Sequence, residues 1–349
     1  MKCNGLGAII QIGIDVGTVR DGKKWQMRNA FCILVCVGLE DHEMKVILAG
    51  GTGFIGQRVV DRLMHDKQKC VLVTRHPERV KNFYSGLLRV ERWIENTPAL
   101  PKELVDEGDV IINLAGESLA SGRWSAERKK ILLHSRIDST KAIIRMIEKA
   151  GKKPAALINA SAVGYYGHVP DADVVEGNAR GSDFLATLVG QWEATALEAA
   201  AFGVRVVLLR TGVVLDTPGG ALPRFVKPFR LYAGGWFGSG NQWFPWIHRE
   251  DVVEIISFLV KNTFMIGPVN VVAPEQVTMK EFCTVLSAIL KRPCWLPVPD
   301  PLLRVMLGEM ADMLLTGQKV IPKVLLDSGY RFKYPSLEDS LRAILTKRT

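Results

Sequence analysis

The chain has 349 residues, of which 48% are hydrophobic and 23% charged, and its formal net charge is +9. That balance is ordinary for a globular protein with a large core, and no run approaches the about 18 consecutive apolar residues of a membrane span, so no membrane partner is expected. The positive charge is not gathered into Lys/Arg blocks or an aromatic-interleaved strip, which points to an anionic cofactor and substrate and away from nucleic acid.

Residues 1–43 fit no fold pattern. Met27-Arg28-Asn29 and the apolar stretch 30–39 resemble the start and core of a signal peptide, but Glu40-Asp41-His42-Glu43 stands where a small-residue cleavage site would be. A strand pattern begins at once at Lys45, so Met44 reads as a start and 1–43 as an extension outside the fold; a secreted or anchored form is the alternative. The six cysteines (Cys3, Cys32, Cys36, Cys70, Cys283, Cys294) show no CxxC pair and no metal-ligand spacing. A reducing cytoplasm and no metal are the expectation.

Lys45-Val46-Ile47-Leu48-Ala49 reads as a buried strand, and the apolar periodicity of 54–64 as a helix. Between them lies Gly50-Gly51-Thr52-Gly53-Phe54-Ile55-Gly56, a G-x-x-G-x-x-G spacing. Gly50 would allow the sharp turn, Gly53 the close approach of a pyrophosphate, and Gly56 tight packing of helix on strand. Backbone amides around Thr52, Phe54 and Ile55 would then face the phosphates at the positive end of the helix dipole. A tight βα turn without ligand is the alternative.

Strand patterns follow at 70–74, 89–93, 110–116, 156–161 and 205–210, with helices predicted over 126–150 and 184–202. Such alternation is that of a Rossmann-type α/β fold, a doubly wound parallel sheet covered on both faces. From Thr217 the texture changes. Gly, Pro and aromatic residues crowd 218–245, and a loop of that length inside a domain is commonly functional, so 217–248 is the expected substrate loop. A strand at 269–272 and a helix with N-cap Thr278 and capping-box Glu281 come next. The expected organisation is a nucleotide-binding domain over 44–273 and a small C-terminal α/β substrate lobe over 274–349.

These residues resemble the extended and atypical short-chain dehydrogenase/reductase superfamily, in its NAD-dependent epimerase/dehydratase branch. The resemblance spans Met44 to the C-terminus. It rests on the glycine turn, on Asn113-Leu114-Ala115-Gly116, on Ser161-Ala162-Val163-Gly164-Tyr165-Tyr166-Gly167, and on Phe244-Pro245-Trp246-Ile247-His248-Arg249-Glu250-Asp251-Val252. Leu315 to Val320 and Ser328-Gly329-Tyr330-Arg331-Phe332 look like the C-terminal module of one subgroup, sometimes labelled cell-division-inhibitor-like.

The second strand of such a fold ends on an acid where NAD is preferred. Here the chain has Thr74-Arg75-His76, and Arg75 can pair with a 2′-phosphate, so NADP(H) is the expected cofactor; a solvated loop arginine is the alternative. The resemblance further implies that Leu114, Ala115 and Gly116 line the ribose and phosphates, that Arg136 reaches the cofactor from across the crevice, and that the Val214 main chain lies at the nicotinamide end. For Arg136 a surface salt bridge is the competing reading.

Members of the superfamily use a Ser or Thr and a Tyr-x-x-x-Lys pair, the lysine lowering the tyrosine pKa for proton exchange. Setting Glu193 at the glutamate that follows the lysine puts Val189 at lysine and Leu185 at tyrosine, while Ala162 takes the usual serine position. Ser161 and Tyr166 are then the catalytic candidates, with Tyr165 and His248 as further sources of a proton path; local packing for Tyr166 and a capping role for His248 are the structural alternatives. The implied function is an NADP(H)-binding epimerase or oxidoreductase acting on a small molecule without that pair, or a protein that holds NADP(H) as a sensor.

Overall fold

Short runs of Val, Ile, Leu and Ala suit the centre of a parallel sheet, whose two faces are both covered. In chain order the strands are β1 (Val46–Ala49), β2 (Cys70–Thr74), β3 (Leu88–Arg92), β4 (Val110–Asn113), β5 (Ala156–Ala162), β6 (Val169–Val174), β7 (Arg205–Thr211), β8 (Val213–Leu215), β9 (Trp246–His248), β10 (Gly267–Val271) and β11 (Gln318–Val320). The computed structural model describes residues 44–80, 88–93 and 101–346; the expected extension 1–43 lies outside the described residues. Seven strands form one sheet in the order β10-β7-β5-β4-β1-β2-β3, every neighbouring pair parallel. The order reverses between β1 and β4, so the loops leaving those strands diverge and open a crevice at their C-terminal ends.

The helices are α1 (Phe54–His65), α2 (Ala126–Lys149), α3 (Phe184–Leu197), α4 (Leu222–Arg230), α5 (Arg249–Lys261), α6 (Met279–Leu290), α7 (Asp300–Leu307), α8 (Asp312–Leu315), α9 (Lys323–Asp327) and α10 (Leu337–Leu345). Alternate strand residues take opposite sides. Val46 and Leu48 join Val59 and Leu63 of α1 and Val252, Ile256 and Leu259 of α5, whereas Ile47 and Ala49 join Ile143 and Ile147 of α2. The helix predicted over 184–202 is α-helical to Leu197 and finishes as a 3-10 turn over Glu198–Phe202.

One expectation is corrected here. The stretch 217–248 is not one long loop: it contains α4, whose Leu222, Phe225, Val226 and Phe229 are buried. Their i, i+3, i+4, i+7 spacing puts all four on one face. They build a third core with Phe244, Trp246, Phe282, Leu286 and Leu341, so the expected boundary at residue 274 runs through a shared core. Two further parallel pairs form separate two-stranded sheets, β11 with β6 and β8 with β9. The capping box at Thr278 and Glu281 forms as the sequence indicates. Among the described residues no helix is long and apolar enough to cross a membrane.

Candidate functional site

Gly50 turns with φ +81°, and a Cβ there would stand 2.6 Å from the Leu114 carbonyl carbon and 2.8 Å from the Ala115 nitrogen. A side chain at this point would therefore push apart the two arms of the crevice. At Gly56 a Cβ would meet the Gly50 oxygen at 2.2 Å, so the helix packs on the turn itself. Gly53 is the N-cap of α1, exposed and without a side-chain cap, and the first turn carries no acid. Uncapped amides at the positive end of a helix, with no carboxylate to compete, fit an anionic ligand.

Phe54 opens α1 and is held from two sides. Arg249 donates through Nη1 to the Phe54 carbonyl at 3.2 Å and lays its guanidinium 4.7 Å from the ring centroid, while its Nε pairs with Asp216 at 2.8 Å. Gly219 and Gly220 abut the opposite part of the ring. The β8–α4 connection is thus latched to the glycine turn, a contact that the sequence did not announce.

At the far side of the turn, Thr74 is buried and its hydroxyl accepts from the His76 amide at 3.2 Å. Arg75 follows, exposed, at the end of β2. Arg92 stands in register with Thr74 on β3 and pairs with Glu78 at 3.5 Å, and Glu78 also meets His76 at 3.1 Å. The C-terminal edge of β2 and β3 therefore presents two arginines, of which sequence reasoning had named one.

Asn113 explains the geometry of the β4 arm. Its Nδ2 donates to Asn159 Oδ1 at 2.7 Å and to Thr140 Oγ1 at 3.0 Å, and its Oδ1 accepts from the Ala115 amide at 3.2 Å. Thr140 also accepts from Trp192 Nε1 and donates to the Arg136 carbonyl. Leu114, Ala115 and Gly116 are thereby fixed from beneath. Arg136 is buried, not part of a surface salt bridge: Nη1 and Nη2 donate to the carbonyls of Leu132 and Glu117, both at 2.9 Å, and its guanidinium lies 5.2 Å from the Trp192 ring. Burial disfavours its charge. Val214 pairs with Ile247 between β8 and β9 and is half-buried against the core.

A second polar network lies under the ends of β5, β7 and β10. Glu193 accepts Ser161 Oγ at 2.5 Å and a two-pronged bond from Arg210, Nε and Nη2 each at 2.8 Å. Arg210 Nη1 donates to the Tyr166 hydroxyl and to the Glu176 carbonyl, both at 3.0 Å, and Tyr166 donates to Asn270 Oδ1 at 2.6 Å. Tyr165 lies beneath the same guanidinium, 3.5 Å from its ring centroid. His248 uses Nδ1 to cap α5, accepting from the Glu250 amide, and stacks on Tyr334 at 3.9 Å.

Residues 46–271 match the family model described as "NAD dependent epimerase/dehydratase family", and 298–344 match one described as "Domain of unknown function (DUF1731)". The chain belongs to the NAD-dependent epimerase/dehydratase family. It is 38% identical to the chloroplastic epimerase family protein SDR39U1 homolog of Arabidopsis thaliana over 90% of both chains. It is also 38% identical to epimerase family protein YfhF of Bacillus subtilis over 87% of this chain and 99% of that one. Among solved structures it is similar to human epimerase family protein SDR39U1 (isoform 2) with NADPH, with a TM-score of 0.76, 33% identity and coverage of 87% and 100% of the two chains. A nucleoside-diphosphate sugar epimerase from Corynebacterium glutamicum gives 0.68 at 28% identity, over 86% of this chain and 58% of that one.

Leu185 and Val189, which the register set by Glu193 puts at the expected Tyr-x-x-x-Lys pair, are apolar and packed. Leu185 lies against Gly164, where an added Cβ would be 3.3 Å from its own, and Val189 is buried with Leu132 and Leu188. Ser161 and Tyr166, the sequence candidates for chemistry, are buried with their hydroxyl protons already donated, and burial pushes the Tyr166 phenol up to about 12. Neither can give a proton to a ligand without breaking the network. Sequence reasoning used Glu193 as an alignment marker and did not foresee Arg210, Glu176 or Asn270; a lone Arg ending a strand of apolar residues was the available signal.

Proposed function

We propose that the crevice binds NADP(H), and that the protein is an epimerase-like or oxidoreductase-like member of its family whose small-molecule chemistry does not run through a Tyr-Lys pair. The observation that carries the cofactor reading is the uncapped, acid-free start of α1 set against the Leu114–Ala115 backbone, with Arg75 in the place of a carboxylate at the end of β2. The NADPH in the human relative supports the same choice. Bound there, the cofactor would supply hydride transfer. The chain's part is to seat the pyrophosphate on α1, to hold the adenosine 2′-phosphate by Arg75, and to keep the β4 arm fixed through Asn113 and Arg136. A cytoplasmic location belongs to the same proposal, resting on the free thiols of Cys70, Cys283 and Cys294.

A second reading, in which NADP(H) is held as a structural or regulatory ligand, is favoured by the commitment of Ser161 and Tyr166 to the buried network. Single-turnover loss of NADPH absorbance against carbonyl compounds and sugar nucleotides separates the two: oxidation by any of them selects chemistry, and none across the panel selects holding. Titration tests the cofactor itself. NADPH is expected to bind at least about tenfold more tightly than NADH, and Arg75→Ala to abolish that preference, since an arginine–phosphate pair is a strong charge-assisted bond. Equal affinities in the parent would defeat the assignment.

A further inference from the structure

The acidic residues leave two gaps in the sequence. No Asp or Glu occurs from 217 to 249 or from 282 to 299, while Arg224, Lys227, Arg230, Lys291 and Arg292 fall within those stretches. The fold brings the two gaps together. Gly234 bridges to Cys294, the amides of Trp295 and Leu296 both donate to the Gly234 carbonyl, and Trp295 Nε1 donates to the Tyr232 carbonyl at 2.9 Å.

What the joined tips show to solvent is apolar: Leu231 is 68% exposed, Tyr232 57%, Trp295 66% and Leu296 51%. Tyr232 has φ +61° and Lys291 φ +53°, a left-handed backbone that residues with a Cβ rarely adopt. Both residues stand at helix C-termini, Tyr232 just past α4 and Lys291 as the cap of α6, where a left-handed residue ends the helix and begins the tip. Arg292 lies 4.6 Å over the Tyr232 ring, and Lys227, Arg230 and Lys291 are exposed on the flanking ends of α4 and α6.

We infer that this double tip docks the protein on an anionic lipid surface, with Leu231, Tyr232, Trp295 and Leu296 entering the boundary between headgroups and acyl chains, and with the four cations meeting lipid phosphates. Trp and Tyr, with an apolar body and a polar edge, suit that depth. Lys and Arg side chains can lay their stems along the apolar tip while their charged ends stay with the headgroups. The absence of a spanning run, on which the expectation of no membrane partner rested, does not bear on a peripheral contact. This inference stands apart from the cofactor reading.

The test is sedimentation of the full chain with vesicles of phosphatidylcholine alone or containing about one-third phosphatidylglycerol. The expected result is at least about tenfold stronger partition to the anionic vesicles, weakened by salt. Brominated lipid should quench tryptophan fluorescence in the parent and less in Trp295→Phe. Lys227→Glu with Arg230→Glu should abolish binding while the protein stays folded, with only a small fall in melting temperature because both side chains are exposed in the last turn of α4; Leu231→Ser with Trp295→Ser should weaken it about tenfold. Equal partition to neutral vesicles, no partition to anionic ones, or full retention in the charge-reversed variant overturns the inference. So does a concentration-dependent dimer that Trp295→Ser abolishes, which would assign the tips to a second copy of the chain.

Discussion

Arg249 hydrogen-bonds the Phe54 carbonyl and forms an ion pair with Asp216, so one guanidinium ties the start of α1 to the connection between β8 and α4. Burial disfavours its charge, and Asp216 works against that loss. A lysine could keep the charge but not the two-directional fork. Arg249→Lys and Asp216→Asn are each expected to weaken NADPH binding about tenfold, because the amides that face the ligand lose their brace. Since the two act through one contact, the double variant should lose little more than either alone. Isothermal titration of the four proteins checks this, and strictly additive losses would show that the latch does not act as a unit. Glu193 is a different case. Its carboxylate and Arg210 are both buried, and Glu193→Gln leaves a guanidinium without its counter-charge, at a cost of roughly 3–5 kcal/mol in urea unfolding.

The α4 segment shows how composition can hide an element. Gly and Pro are dense around it, and Pro223 and Pro228 both fall within its span, which argues against a helix when residues are merely counted. Yet a proline near the start of a helix is tolerated, and Leu222, Phe225, Val226 and Phe229 keep the period of a buried face. Phe225 sits at the middle of this core, its ring 5.6 Å from Phe237, 5.7 Å from Phe244 and 5.0 Å from Phe282. Phe225→Ala should destabilise the protein by about 3–5 kcal/mol, as the surrounding rings can close only part of the cavity. A melting temperature within a degree or so of the parent would mean that α4 is not integral to the lobe.

Across the molecule, the network around Arg210 joins three strands of the large sheet to the C-terminal module. Glu176 accepts the amides of Asn270 and Val324, and Asn270 Nδ2 donates to the Ile321 carbonyl. Tyr166 enters it as a neutral phenol, raised by burial to about 12 from an ordinary 10. The unfolded chain therefore releases this proton first as pH rises, and the stability that Tyr166 contributes is complete below pH 10 and lost through about 12. Tyr330 is raised by burial as well and acts in the same direction. The melting temperature should fall between pH 10 and 12 more steeply in the parent than in Tyr166→Phe, which removes one of the groups that burial raises. At neutral pH that variant should already be about 1–3 kcal/mol less stable, because Asn270 and Arg210 lose a partner. Parallel alkaline slopes for the two proteins would show that Tyr166 does not titrate as described.

The seven strands of the large sheet, their alternation with α1, α2 and α3, the glycine turn and its place between β1 and α1 were determined by the sequence itself, because those features rest on local periodicity and on backbone conformations that glycine permits, whereas the short β6, β8 and β9 and the helices α4 and α5 were not legible there. The same holds for the missing Tyr-x-x-x-Lys: Leu185 and Val189 have no proton to offer in any fold. Whether Ser161, Tyr166 and Arg136 face a ligand or a neighbour was not local. Ser161 finds Glu193 32 residues away and Tyr166 finds Asn270 104 residues away, and one of the two carbonyls that Arg136 holds is 19 residues upstream. Only the assembled sheet, by bringing β5, β7, β10 and α3 together, decided that Ser161, Tyr166 and their buried neighbours would satisfy one another. Leaving a buried hydroxyl or guanidinium without a bond carries a desolvation cost, which these pairings avoid.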